Sequence, residues 1–114
     1  AELEKFEAAL GLFRSVGDRL CEANVLLQMG DQARAARDYD RSRNYYDTTL
    51  QLYTMIGDRY SLARVLYRLG DWFAEQEQKE AARPYYQRAI ALWQAIGLDD
   101  LVESILLPRL KRVE

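Results

Sequence analysis

The sequence repeats itself at one fixed offset, and this internal period constrains the fold more than any other feature. A fixed period between about 20 and 50 residues is typical of stacked repeats, in which one unit cannot bury its apolar face alone. We therefore expect a stack of similar structural units. The motifs that coincide at this offset are Gly17-Asp18-Arg19 with Gly57-Asp58-Arg59, Gly30-Asp31 with Gly70-Asp71, and Tyr45-Tyr46 with Tyr85-Tyr86.

Each period contains two apolar patterns with the spacing of an α-helix. In the second copy, Leu62, Val65 and Leu66 fall on one helix face, and Ala82 and Tyr86 begin a second stripe of the same kind. Strand-like alternation is absent, and the loops are short enough to make consecutive helices antiparallel neighbours. The sequence therefore predicts an all-α chain of about six helices. They span residues 2–16, 19–36, 41–56, 59–76, 81–96 and 99–112.

Glycine and aspartate mark the turns between the predicted helices. Glycine closes the last turn of a helix at positive φ without steric cost, and aspartate caps the next helix through its carboxylate. The expected closing residues are Gly17, Gly57 and Gly97, and the expected caps are Asp18, Asp58 and either Asp99 or Asp100.

Two prolines lie within helical patterns. Pro84 is expected in the first turn of its helix, where the missing N–H costs no hydrogen bond. Pro108 lies well inside the last pattern, so a kink or an early stop is expected there.

Composition excludes several functional classes. The net charge of −2 gives no general attraction to nucleic acid or anionic lipid, and no basic stripe accompanies the eight tyrosines. With no histidine, one cysteine and no glycine-rich phosphate loop, we expect no catalytic activity, metal or cofactor. Cys21 is interpreted as a small, partly buried side chain in preference to a redox sensor. No membrane-spanning or signal-peptide pattern is present, and an unpaired cysteine fits a reducing compartment, so a cytoplasmic location is expected.

The residue pattern within each period resembles the tetratricopeptide repeat. That family places a large residue before Leu-Gly and an aromatic on the first helix, then a small residue and an aromatic on the second. The departures are leucine at the first large position, Thr54 and Gln94 in place of the late proline, and a 40-residue period in place of about 34. The matching motifs are Leu66-x2-Leu69-Gly70-x2-Phe73 with Ala82-x3-Tyr86, and Leu26-x2-Met29-Gly30-x2-Ala33 with Ser42-x3-Tyr46.

The resemblance implies a right-handed α-solenoid of antiparallel helix hairpins, with a concave groove lined by the first helix of each repeat. The longer period is similar to repeats found in bacterial regulatory and signalling proteins, including large ATPase-type regulators. Glycine and small residues are expected to let paired helices approach, while aromatics fill the space between repeats. The expected organisation is one domain over 1–114, made of a half repeat 1–16, repeats 17–56 and 57–96, and a half repeat 97–114.

The groove positions implied by the resemblance include two arginines, Arg64 and Arg68, that lie four residues apart and can bind a carboxylate or phosphate together. They match two basic positions of clamp-type repeats that bind the C-terminal carboxylate of chaperone peptides. Leu27 and Asp31 stand where that clamp has lysine and asparagine. The alternative is a solvated charged face, on which Asp31 and Asp71 neutralise the arginines. The full set is Asn24, Leu27, Gln28, Asp31 and Arg34, then Arg64, Tyr67, Arg68 and Asp71.

The sequence thus favours a non-catalytic scaffold that binds a protein or peptide, with neither nucleic acid nor membrane as a partner. The alternative is a segment of a longer solenoid that self-associates through its terminal helices, because each end presents an apolar stripe that would normally pack on a further helix. These stripes consist of Phe6, Ala9, Phe13 and Val16 at one end, and Leu101, Val102, Ile105 and Leu106 at the other.

Overall fold

The computed structural model describes residues 2–114, which consist of helices joined by short turns. The all-α prediction is confirmed, and the helix ends agree with the predicted ones within two residues. The helices form two compact units, divided between Gly57 and Asp58, with the first three helices in one unit and the rest in the other. The elements are α1 (Glu2–Val16), α2 (Arg19–Ala35), α3 (Tyr39–Ile56), α4 (Arg59–Glu75), α5 (Lys79–Ala95), α6 (Asp99–Leu101), a π-helical turn (Val102–Leu106) and α7 (Leu107–Arg112).

The turns recur at a regular interval, which is half the period of the sequence. A residue with positive φ closes each of them: Gly17 at 73°, Arg37 at 61°, Gly57 at 80°, Glu77 at 62° and Gly97 at 77°. The three glycines confirm the prediction. The other two positions were not expected, because neither arginine nor glutamate favours the left-handed region.

Aspartates cap the first three of the helices that follow these turns. Asp18, Asp38 and Asp58 each accept a hydrogen bond from the backbone N–H three residues later, at 3.0, 3.3 and 3.1 Å. Such a cap pairs one of the four donors that a helix start leaves without an intrahelical partner. The predicted caps at Asp18 and Asp58 are therefore confirmed.

The last helix begins without a side-chain cap. Its N-cap residue is Leu98, and no side chain bonds to the first turn, so the capping expected of Asp99 or Asp100 is wrong. Both carboxylates lie in the first turn instead, where negative charge interacts favourably with the helix dipole.

Pro84 lies elsewhere than predicted, whereas Pro108 lies inside the last helical stretch as predicted. Pro84 is inside α5, five residues after its first residue Lys79, and not in the first turn. The N–H that it lacks would have bonded the carbonyl of Glu80, which is an exposed residue open to water. Pro108 does not stop the last helix. The irregularity is the π-helical turn before it, in which the N–H of Leu107 bonds the carbonyl of Val102.

A glycine–tyrosine contact lies at the centre of each helix hairpin. Gly30 on α2 faces Tyr46 on α3, and Gly70 on α4 faces Tyr86 on α5, both tyrosines being buried. A Cβ atom added to either glycine would lie 2.5 Å from a ring carbon. In the first unit, the hydroxyl of Ser42 also donates to the carbonyl of Gly30 at 2.8 Å. The predicted close approach of paired helices at these glycines is confirmed.

The apolar stripe of the C-terminal helix is covered within the second unit. Val102 and Leu106 are buried, contrary to the predicted exposed stripe, and Val113 packs against Ala82 and Tyr86. At the other end, α1 is only partly covered: Phe6, Ala9 and Phe13 are half-buried, whereas Leu12 and Val16 are 60% and 68% exposed.

Candidate peptide-binding surface

Three of the predicted groove residues on α2 are buried in the first hairpin or form hydrogen bonds within it. Leu27 is buried at 1% exposure, so it offers no surface to a ligand, and its predicted groove role is wrong. The hydroxyl of buried Tyr53 donates to the side-chain carbonyl of Asn24. The hydroxyl of buried Tyr46 donates to the carboxylate of Asp31 at 2.5 Å. Asn24 and Asp31 thus accept hydrogen bonds from the hydroxyls of two buried tyrosines.

Gln28 and Arg34 are the two remaining predicted groove residues on α2. Gln28 is exposed, and Arg34 is half-buried with its Nη2 4.0 Å from the Asp31 carboxylate. Both side chains therefore retain some exposed surface.

Trp93 of α5 packs against aromatic side chains of α4. It is buried, and its indole Nε1 donates to the backbone carbonyl of Tyr60 at 3.1 Å. The Tyr60 ring stacks on it at a centroid distance of 5.9 Å, while Tyr67 meets it edge-on at 6.0 Å. Such pairs contribute about 0.5–1.5 kcal/mol beyond their buried area. Both tyrosines are therefore held in place although their rings reach the surface.

The two predicted arginines lie over these tyrosines. The guanidinium carbon of Arg64 is 5.7 Å from the Tyr60 ring centroid, and that of Arg68 is 4.9 Å from the Tyr67 centroid. Nη1 of Arg68 also donates to the carbonyl of Arg64 at 3.1 Å. Among residues 2–114, no carboxylate lies within ion-pair distance of Arg64, so its charge is balanced only by a ring face and solvent.

Asp71, the last predicted groove residue, contacts Tyr86 and Arg109 within the second unit. It accepts from the Tyr86 hydroxyl at 2.6 Å and from Nε of Arg109 at 3.0 and 3.2 Å to its two oxygens. Arg109 also lies 4.8 Å from the Tyr67 centroid and donates to the carbonyl of Ile105 at 2.9 Å. Sequence reasoning missed Arg109, which at the offset of the repeat falls on the buried Leu69.

Titration shifts occur at the start of α2, away from these arginines. Hydrogen bonds from the backbone N–H and the thiol of Cys21 lower the pKa of Asp18 below its ordinary value of 3.8. The same carboxylate raises the pKa of Cys21 above its ordinary 9.0, with burial as the second cause. A raised thiol pKa lowers the thiolate fraction at neutral pH, which favours the non-reactive interpretation of Cys21.

Within the part of the chain that the structure describes, no group of three or more acidic, cysteine or histidine side chains is placed to hold a metal ion. In the same range, no helix combines the length and apolarity needed to cross a bilayer.

These features define a protein built from repeated helix hairpins, each closed by a glycine–aromatic contact. The chain belongs to the tetratricopeptide repeat family, whose sequence pattern matches residues 21–95. Repeats of this family generally mediate protein–protein interaction, and the family is typically one of non-catalytic scaffolds. Comparison with curated proteins gives no match.

Proposed function

We propose that this chain is a non-catalytic scaffold that binds an acidic peptide segment of a partner protein through α4. The proposed contact residues are Arg64, Tyr67 and Arg68. The observation that carries the proposal is the state of Arg64, a half-exposed arginine without an ion-pair partner among residues 2–114.

A comparison of the two repeats explains why Arg64 is available. In the first repeat the equivalent residue is Asn24, and its side-chain carbonyl accepts a hydrogen bond from the hydroxyl of Tyr53. In the second repeat Trp93 replaces that tyrosine, and its N–H bonds the Tyr60 carbonyl instead. The second hairpin therefore needs no hydrogen bond from the side chain of residue 64, and a charged side chain at this position can bind a ligand.

The chemistry of this surface favours a carboxylate ligand. A guanidinium presents several N–H donors in one plane and binds carboxylates in a forked geometry. Because Arg64 is partly exposed, solvent screening limits the gain. A hydrogen-bonded charge contact of this kind contributes about 1.5 kcal/mol at the lower end of its range, which corresponds to roughly tenfold in affinity.

The test uses fluorescence polarisation with labelled dodecapeptides rich in aspartate and glutamate and carrying a free C-terminal carboxylate. Arg64→Gln is expected to weaken binding about tenfold. Arg88→Gln, at an exposed arginine on α5, is the control and is expected to change affinity less than about twofold. Equal losses in the two variants would indicate non-specific charge attraction, and undiminished binding by Arg64→Gln would refute the assignment.

Self-association through α1 is the second candidate function, favoured by the exposure of Leu12 and Val16 on adjacent turns of one helix. Sedimentation of the wild-type chain over a range of concentrations should then show a dimer that the pair Leu12→Glu and Val16→Lys removes. Met55→Glu changes an equally exposed residue of α3 and serves as the control. A wild-type chain that stays monomeric throughout would exclude this candidate.

A further inference from the structure

The two repeats differ at one position that shapes the space beside a tyrosine. Residue 73 on α4 is a phenylalanine, whereas the equivalent residue 33 on α2 is an alanine. The neighbouring aromatic is the same in both, since Tyr45 on α3 corresponds to Tyr85 on α5. The second repeat therefore serves as a template for what fits against this tyrosine.

In the second unit the space is filled by the chain's own aromatic ring. Phe73 stacks on Tyr85 with a centroid distance of 5.4 Å and an interplanar angle of 21°. Trp72 meets the Phe73 ring edge-on at 4.9 Å. The arrangement is the offset stack that aromatic pairs prefer.

In the first unit the corresponding space is an open slot. A cavity of about 270 Å³ lies against Tyr45, and Met29 and Ala33 of α2 and Leu3 of α1 also line it. Asp38 and Arg41 stand at its edge and pair with each other at 3.7 Å. An apolar cavity of about 150 Å³ is sufficient to hold benzene, so this slot accommodates a phenyl or phenol ring.

We propose that this slot binds a single aromatic side chain of a partner polypeptide, stacked on Tyr45 as Phe73 stacks on Tyr85. The site lies on α1, α2 and α3 of the first unit, and it does not depend on the arginines of α4. Its ligand class is a peptide with a phenylalanine or tyrosine anchor.

The surroundings of the slot favour a polypeptide over a free aromatic molecule. A second cavity of about 470 Å³ adjoins the slot and shares Met29 and Tyr45 with it. Gly11 lines this second cavity and has no neighbour within 4 Å of its Cβ position, which leaves room for a backbone. Asn44 and Thr48 of α3 also line this second cavity and provide polar groups for the amides of a bound chain.

The test is a nuclear magnetic resonance titration of the labelled chain with two acetylated, amidated pentapeptides, Gly-Ser-Phe-Ser-Gly and Gly-Ser-Leu-Ser-Gly. The phenylalanine peptide should give saturable shifts at Met29, Ala33 and Tyr45, and the leucine peptide should bind about fivefold more weakly. Absence of saturable shifts at these residues, or equal binding of the two peptides, would overturn the proposal.

Two substitutions to phenylalanine separate the slot from the rest of the surface. Ala33→Phe supplies the ring in the chain itself, so it should abolish peptide binding while raising the melting temperature. Ala35→Phe adds the same ring at an exposed position on α2 and should leave binding unchanged. If Ala33→Phe fails to fold, Tyr45→Ser removes the stacking partner and should weaken binding about fivefold. Unchanged binding by whichever variant folds would overturn the proposal.

Two further measurements identify the occupant. p-Cresol, a free phenol, should bind at least about tenfold more weakly than the phenylalanine peptide, because it cannot reach the adjoining cavity. Equal affinity would point to a small molecule and overturn the polypeptide assignment. Sedimentation without peptide tests a second copy of the chain as occupant. A dimer that is lost in Ala33→Phe and retained in Ala35→Phe would also overturn the assignment to a partner polypeptide.

Discussion

The two buried glycines of the hairpins predict an unusual response to alanine. In most exposed helix interiors, glycine to alanine stabilises a protein by about 0.8–1 kcal/mol, because alanine restricts the unfolded chain and has the higher helix propensity. At Gly70, however, the added Cβ would lie 2.5, 2.7 and 2.9 Å from three ring carbons of Tyr86. Since Tyr86 is buried, its ring has little space into which it can move.

The expected cost at Gly70 has two parts. Overpacking of a core contact costs about 1–3 kcal/mol. Displacement of the Tyr86 ring also weakens its 2.6 Å hydrogen bond to the Asp71 carboxylate, a bond of the charged type that contributes about 1.5–3 kcal/mol. After subtraction of the propensity gain, Gly70→Ala should lower the free energy of unfolding by about 2–4 kcal/mol.

Urea denaturation followed by far-UV circular dichroism measures this change. Gly11→Ala is the matched control, because Gly11 is an exposed residue inside α1 with no atom near its Cβ position, and it should stabilise the chain by about 0.5–1 kcal/mol. Gly30→Ala, facing Tyr46, should behave like Gly70→Ala. In a Tyr86→Ala background the effect of Gly70→Ala should change sign.

Opposite signs at Gly11 and Gly70 are the essential result. If Gly70→Ala changed stability by less than about 0.5 kcal/mol, or stabilised the chain as Gly11→Ala does, the close helix approach would carry no energetic weight. A Gly70→Ala effect unchanged in the Tyr86→Ala background would equally refute the reasoning, because the double-mutant cycle isolates this contact.

Three further predictions concern the turns and the start of α2. Arg37→Gly and Glu77→Gly should each raise the free energy of unfolding by about 0.5–1 kcal/mol, because glycine adopts positive φ without strain. Gly57→Ala should lower the free energy of unfolding by about 1 kcal/mol. Urea denaturation of the three variants measures these changes. Because the pKa of Asp18 is lowered in the folded state, its ionised carboxylate stabilises the fold above pH 3.8. This stability is lost as the pH falls through the lower pKa of the folded state. The melting temperatures of the wild-type chain and of Asp18→Asn should therefore converge in acid. At neutral pH, Asp18→Asn should speed alkylation of Cys21 by iodoacetamide, and an unchanged rate would show that the carboxylate does not raise the pKa of the thiol.

The helices are predictable from sequence because apolar spacing and turn chemistry agree at most boundaries. The boundary before α5 is less clear, since Gln78 forms no side-chain cap and Glu77, not glycine, has positive φ. Without those signals, the sequence places the start of the helix two residues late and Pro84 in its first turn. The π-helical turn before Pro108 has no residue pattern that distinguishes it from an ordinary helix.

The candidate surface is predicted less completely, because a position in the repeat does not determine what a side chain bonds. Asn24 and Asp31 occupy groove positions by register, yet tyrosine hydroxyls of the next helix use them. The spacing of 15 residues from aspartate to tyrosine occurs in both repeats, and this signal could have revealed the Asp31 contact. Arg109 had no comparable signal, since its partner Asp71 lies 38 residues earlier.

The uniform turns bear on how such a chain is assembled from gene segments. Since a left-handed residue closes the backbone at every one of these turns, whether or not it is a glycine, each turn presents an equivalent junction. Exchange between two copies of the gene at any pair of turns one full period apart keeps both the helix pattern and the closing geometry. Duplication and loss of repeats are therefore expected to have their breakpoints at these junctions, where a new sequence joins the old without a change of backbone conformation.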